Sequence, residues 1–222
     1  MTIPLLEDAE AVLLDFDGPV CSMFARYPAA GVAEQLRELI TSSGADPGEA
    51  IRRTGDPLTV LRLAADQHPS LLATVDDALT RAERVAARTA RSTPGALEFL
   101  VECDRAGRPV VIVSNNSRQS VEVYLVDRHL MLLVGQIFGR PIHRPDLMKP
   151  HPAMIEAALA FLQVRPERAV LIGDSIGDVQ AARACQVPTI GLADRPAMRD
   201  ALGQSGADVV IDRMSELLRE PV

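Results

Sequence analysis

Lysine is almost missing from this chain of 222 residues: only one of its 23 basic residues, Lys149, is a lysine, and the others are arginine. Tryptophan is absent and aromatic residues make up 3%, too few for the stacking platforms that bind single strands. Positive charge is in deficit, with a net charge of −7, so nucleic acid is not an expected partner. No apolar run nears the roughly 18 residues that span a bilayer. The N-terminal MTIPLLEDAEAV carries acids where a secretory leader carries bases. The expectation is a cytoplasmic protein with no membrane partner. No coiled-coil seam stands out, which leaves the oligomeric state open.

Cysteine is sparse as well. Cys21, Cys103 and Cys185 are odd in number and lack CxxC spacing, which argues against a disulfide framework and a structural zinc site. Cys21 lies near an acidic motif, but no histidine is close in sequence to activate it, so it reads as a small core hydrophobe.

Short apolar runs are plentiful: AVLLDF (11–16), PVVIVSN (109–115), RAVLIGD (168–174), VPTIGL (187–192) and ADVVI (207–211). None alternates, as expected of strands buried on both faces of a parallel sheet. Helical patterns lie between them at 94–107, 152–164 and 175–187, opened by prolines or by the capping-type Ser175. Alternating strand and helix predict a doubly wound, Rossmann-like α/β core. Residues 19–92 break the alternation and read as about four helices separated by TSSGADPG, TGDP and QHPS. A strand–helix–strand unit takes roughly 30 residues, yet Asp15 and Ser114 stand 99 positions apart. The expected organisation is therefore a core of 1–18 and 93–222 with a helical cap domain of 19–92.

In such sheets ligands bind at the carboxyl ends of the strands. Four polar groups fall there or beside them: Asp15 and Asp17, Ser114 and Asn115, Lys149, and Asp174 with Asp178. Converging carboxylates repel by several kcal/mol at an effective dielectric of about 20, and each raises the other's pKa. A divalent cation relieves that repulsion. All-oxygen donors select Mg²⁺, which commonly bridges to a substrate phosphate. In a chain that otherwise uses arginine, the one lysine beside this set suggests that a compact ammonium is needed there.

These residues resemble the haloacid dehalogenase-like hydrolase superfamily, in the branch of phosphoglycolate phosphatase and beta-phosphoglucomutase, whose helical cap lies between the first two motifs. DFDGPV, the strand ending in Ser114, the Lys149–Pro150 pair and GDSIGD follow the family order over nearly the whole chain. The resemblance implies that Asp15 is a nucleophile forming an aspartyl-phosphate and that Asp17 is the general acid and base. It implies Mg²⁺ held by the Asp15 and Asp174 carboxylates and the Asp17 backbone carbonyl, with Asp178 supporting them from behind. Ser114, Asn115 and Lys149 would hold the phosphoryl group, with Gly18 on the substrate side.

The implied activity is hydrolysis of a small phosphomonoester. A phosphosugar mutase with the same intermediate, and a weakly active binding or regulatory protein, are the other readings. Dehalogenating relatives lack the second acid, and phosphonate cleavage needs a cap lysine that 19–92 does not contain. The family carries threonine where Pro19 stands, so a hydroxyl that helps orient the acid is missing. For substrate selection the sequence offers Arg26, Arg52, Arg53 and His68 in the cap, with His143 and His151 flanking Lys149. A solvated helix face is the expected role of Arg52 and Arg53, and loop packing or hydrogen bonding that of the two flanking histidines.

Overall fold

The apolar runs become strands because each places alternate side chains on two covered faces. In a computed structural model that describes residues 3–218, the strands are β1 (Ala11–Leu14), β2 (Cys21–Ser22), β3 (Arg91–Ser92), β4 (Val110–Val113), β5 (Gln136–Phe138), β6 (Ala169–Gly173), β7 (Thr189–Leu192) and β8 (Val209–Ile211). Six form one sheet in the order β5-β4-β1-β6-β7-β8, and every pairing in it is parallel. β2 and β3 form a separate antiparallel ribbon with Cys21 opposite Ser92.

The helices are α1 (Pro4–Glu7), α2 (Ala29–Ser42), α3 (Gly48–Arg53), α4 (Pro57–Gln67), α5 (Leu72–Thr89), α6 (Ala96–Arg105), α7 (Arg118–Asp127), α8 (Ala153–Leu162), α9 (Ile176–Ala184) and α10 (Pro196–Ser205). Val12 and Leu14 of β1 point into a layer with Phe99 and Leu100 of α6 and Val121, Tyr124 and Leu125 of α7. Leu13, between them, points the other way, to Met154, Ile155 and Ala158 of α8 and Ala181 and Ala182 of α9. This is a doubly wound α/β core. The sheet reverses direction of growth between β1 and β6, and there the crevice for a ligand opens.

A helical cap inserted between β2 and β3 has its own apolar centre. Val32, Leu36 and Ile40 repeat every fourth residue along α2 and meet Ile51, Val60, Leu61, Ala64, Val75 and Leu79, with Met148 reaching in from the core. Asp56 starts α4 by accepting from the Leu58 and Thr59 amides. The ribbon joining cap to core is anchored by Tyr124, whose hydroxyl donates to Ser92 Oγ at 2.9 Å. Tyr124 also packs edge-on against Phe16 with ring centroids 5.1 Å apart, and the Arg128 guanidinium lies 3.8 Å over its ring.

The edge strand β5 and helix α7 are additions to the sequence-based pattern. Among the described residues no helix is long and apolar enough to cross a membrane. All three cysteines are free.

Candidate active site

Asp15 sits one residue past β1, its amide still bonded to the Ile172 carbonyl at 2.8 Å, so the sheet itself fixes its side chain. Asp174 follows β6, the neighbouring strand. The loop after β1 can pass close against Asp174 because Gly18 has φ +104° and no side chain; a Cβ there would run into the Asp174 carboxylate. Ser175 caps α9 and exchanges bonds with Asp178 in a capping box. That holds Asp178 fully buried behind the site.

Asp15, Asp174 and Asp178 bring carboxylate oxygens within 4.8 Å of one another. Lys149 enters this cluster from its loop. Its ammonium lies 2.8 Å from Asp15 Oδ1 and 2.5 Å from Asp178 Oδ1, and it donates to the Val113 carbonyl at 2.7 Å. The lysine is 3% exposed. Burial alone would lower its pKa, but the two carboxylates outweigh burial and hold it raised and charged.

The acids respond in the opposite sense. Burial, then repulsion from Asp178, pushes Asp15 up to about 7 despite Lys149. Burial and the Asp15, Asp178 and Asp17 charges raise Asp174 to about 9. The carboxylate cluster thus exceeds the charge that one ammonium balances. The Oδ1 atoms of Asp15 and Asp178 are buried, and apart from the nearby ammonium they have no hydrogen-bond partner. Surplus negative charge on clustered hard oxygens fits a divalent cation of the Mg²⁺ kind.

The side chain of Asp17 lies outside that carboxylate cluster. Its Oδ1 accepts from the Met23 amide at 2.8 Å, and burial raises its pKa. The acid is therefore oriented by backbone, and Pro19 removes no group on which this contact depends. Beside Asp17 and Asp174 opens a cleft of about 460 Å³ with Ser22, Thr93, Asp194 and Arg213 on its walls. Such a wall offers hydroxyls, carboxylates and one guanidinium to a polar ligand.

Ser114 is buried at the end of β4, and its hydroxyl exchanges bonds with the Asn116 side chain and amide at 3.2 and 3.3 Å. It does not cap a helix; Ser117 caps α7. Asn115 grips Lys149 by the backbone, accepting from its amide at 2.8 Å and donating to its carbonyl at 3.1 Å. Arg62 of α4 donates to the same carbonyl at 2.6 Å, a cap contact that the sequence did not mark.

Of the other basic candidates, Arg52 and Arg53 form exposed ion pairs with Asp46 and Glu49. They belong to a solvated helix face. His151 accepts from the Ala153 amide at 3.2 Å within its loop, and the His143 amide donates to Asp76. Cys21 is fully buried and burial raises its thiol pKa, which keeps it protonated and unreactive.

A family model described as haloacid dehalogenase-like hydrolase matches residues 9–186. A phosphoglycolate phosphatase of Pectobacterium atrosepticum is 31% identical over 123 residues, which are 54% of this chain and 51% of that protein. A pyrophosphatase PpaX of Bacillus mycoides is 28% identical over 123 residues, 54% of this chain and 55% of that one. The match spans about half the length of these curated relatives. Among solved structures, CbbY from Rhodobacter sphaeroides in complex with phosphate superposes with a TM-score of 0.70 at 21% identity, covering 94% of this chain and 96% of that one. A hydrolase from Deinococcus radiodurans with bound phosphate and sodium gives 0.62 at 27% identity, covering 95% and 93%.

Proposed function

Because the chain belongs to the haloacid dehalogenase-like hydrolase family, we propose that it is a Mg²⁺-dependent phosphatase of small phosphomonoesters. The observation that carries this reading is the burial of the only lysine between Asp15 and Asp178 at the mouth of the sheet. An ammonium held there can meet a nucleophile and an incoming anion together. Residues 19–92 act in this reading as a cap that excludes water and large substrates.

Asp15 attacks phosphorus through a carboxylate oxygen as the bond to the ester oxygen breaks. Asp17, whose raised pKa favours its acid form, gives its proton to the leaving oxygen. The resulting Asp17 carboxylate then takes a proton from water, which cleaves the aspartyl-phosphate and frees inorganic phosphate. Ser114 and the Asn115 amide hold the phosphoryl oxygens, and Lys149 balances their charge. Asp178 keeps Lys149 in place. The Asp15 and Asp174 carboxylates and the Asp17 carbonyl would hold Mg²⁺, which when bound would supply the further positive charge that lets two anions meet.

The test is a phosphate-release screen over sugar phosphates, phosphoglycolate and pyrophosphate, with and without Mg²⁺. Wild type is expected to release phosphate only with the metal, and Asp15→Asn to release none. Full activity in Asp15→Asn would refute the reading. Isomerisation of a sugar phosphate without phosphate release would make the protein a mutase.

A further inference from the structure

Arg140, which follows β5 and Gly139, is an arginine that the chemistry above does not use. Its side chain is 1% exposed, and its guanidinium is divided between the cap and the core. Toward α5, Nε donates to Asp76 Oδ1 at 2.9 Å, Nη1 to Glu83 Oε1 at 2.7 Å, and Nη2 to Thr80 Oγ1 at 3.1 Å. Toward the core, Nη1 also donates to the Asn115 carbonyl at 3.0 Å. Glu83 reaches the same loop, accepting from the Ser117 amide at 2.9 Å and from the Asn116 side chain at 3.4 Å.

The backbone reinforces this contact. Arg140 N–H donates to the Asn116 carbonyl at 2.8 Å, and a Cβ on Gly139 would collide with the Arg118 backbone. A hydrogen-bond path therefore runs from α5 through Arg140 to Asn115. From there the Asn115 side chain brackets the Lys149 backbone, and the Lys149 ammonium meets Asp15.

Stability alone is a poor account of this network. Burying ions carries a penalty of several kcal/mol each, so apolar residues of similar volume often serve as well. Directional bonds add a fixed register that apolar packing does not. We propose that Arg140 is a positioning residue: held by Asp76 and Glu83, it fixes the 115–117 loop and, through Asn115, the register of Lys149 against Asp15. Seating of α5 on the core is thereby tied to assembly of the phosphoryl-binding groups. The catalytic consequence rests on the phosphatase reading.

Because the chain has one lysine, ¹³C-lysine labelling of protein without a lysine-bearing tag gives a single Cε signal that reports on Lys149 directly. In wild type this signal is expected away from the free-lysine position. In Arg140→Gln and Glu83→Gln it should move toward that position. With Mg²⁺ present, kcat should fall by about tenfold or more while KM stays within about threefold, the mark of lost alignment rather than lost binding.

Folded variants with an unchanged signal and unchanged kcat overturn the proposal. If one variant fails to fold, the other decides; if both fail, the network is a stability element and the proposal falls. A wild type that releases no phosphate while the signal still moves sinks the phosphatase reading and leaves the positioning role standing.

Discussion

In the proposed reaction the two oxygens of the Asp17 carboxylate would divide the work of a proton carrier, Oδ1 being held by the Met23 amide and Oδ2 carrying the proton. Asp17→Asn keeps the shape and removes the proton, so kcat should fall by about 10²–10⁴. Pro19→Thr should change kcat by less than about threefold, under 1 kcal/mol of barrier, because Met23 already orients the acid. A larger gain would show that the missing hydroxyl limits turnover. The cluster behind Asp17 makes a second statement, about pH. Asp15 at about 7 and Asp174 at about 9 both lie above the ordinary 3.8, so without metal the folded chain binds more protons than the unfolded one. The contribution of these two acids to stability is then complete below about pH 4 and is lost as pH rises through about 7 and then about 9. In chelator the Tm of wild type should drop from pH 5 to pH 9, and Asp174→Asn should flatten the drop. Mg²⁺ at pH 8 should raise Tm in wild type and much less in Asp174→Asn. A wild-type Tm that is level across this range would contradict the charge surplus.

At the scale of elements, capping chemistry is both legible and testable. Asp56→Ala removes the acceptor for two amides at the start of α4 and should lower stability by about 1 kcal/mol, with kcat unaltered. Thermal unfolding beside an activity assay checks both halves. The same local logic made much of the fold readable: uninterrupted apolar runs mark β1, β4, β6, β7 and β8, and Ser175 marks α9. β5 escaped because three residues at a sheet edge carry little pattern, and α7 because its buried stripe is only Ser120, Val121, Tyr124 and Leu125. The strand-end aspartates were legible for the reason that they follow buried runs. Arg140 and Arg62 were not, since the α5 partners of Arg140 and the Lys149 carbonyl met by Arg62 lie 57 to 87 positions away, and no local rule pairs residues at that distance. One trace was present: Asp76 and Glu83 stand seven apart on the stripe of α5 that also carries Val75, Leu79 and Ala82. Two acids on a buried helical face require a buried cation.

For the whole molecule, the arrangement of apolar cores governs how cap and sheet respond to damage. Helix α5 is shared: Val75, Leu79 and Ala82 pack in the cap centre, whereas Ala86 and Ala87 pack with Tyr124 in the sheet layer. The rest of the cap centre is separate, drawing only Met148 from the core among its buried members. Leu36, 1% exposed on α2, therefore stabilises the cap without touching the sheet layers. Leu36→Ala should cost about 2–5 kcal/mol of cap stability, and the loss should stop where α5 is bolted to the core. Hydrogen exchange resolves this, because local opening is read element by element. Amides of α2, α3 and α4 should exchange faster, while those of β1, β4 and β6 and of the end of α5, where the Ala87 and Ala90 carbonyls accept from Arg128, keep wild-type protection. Equal acceleration in the sheet would mean that cap and core open as one unit. In that case the ion network at Arg140 would join the cap helices and the sheet energetically.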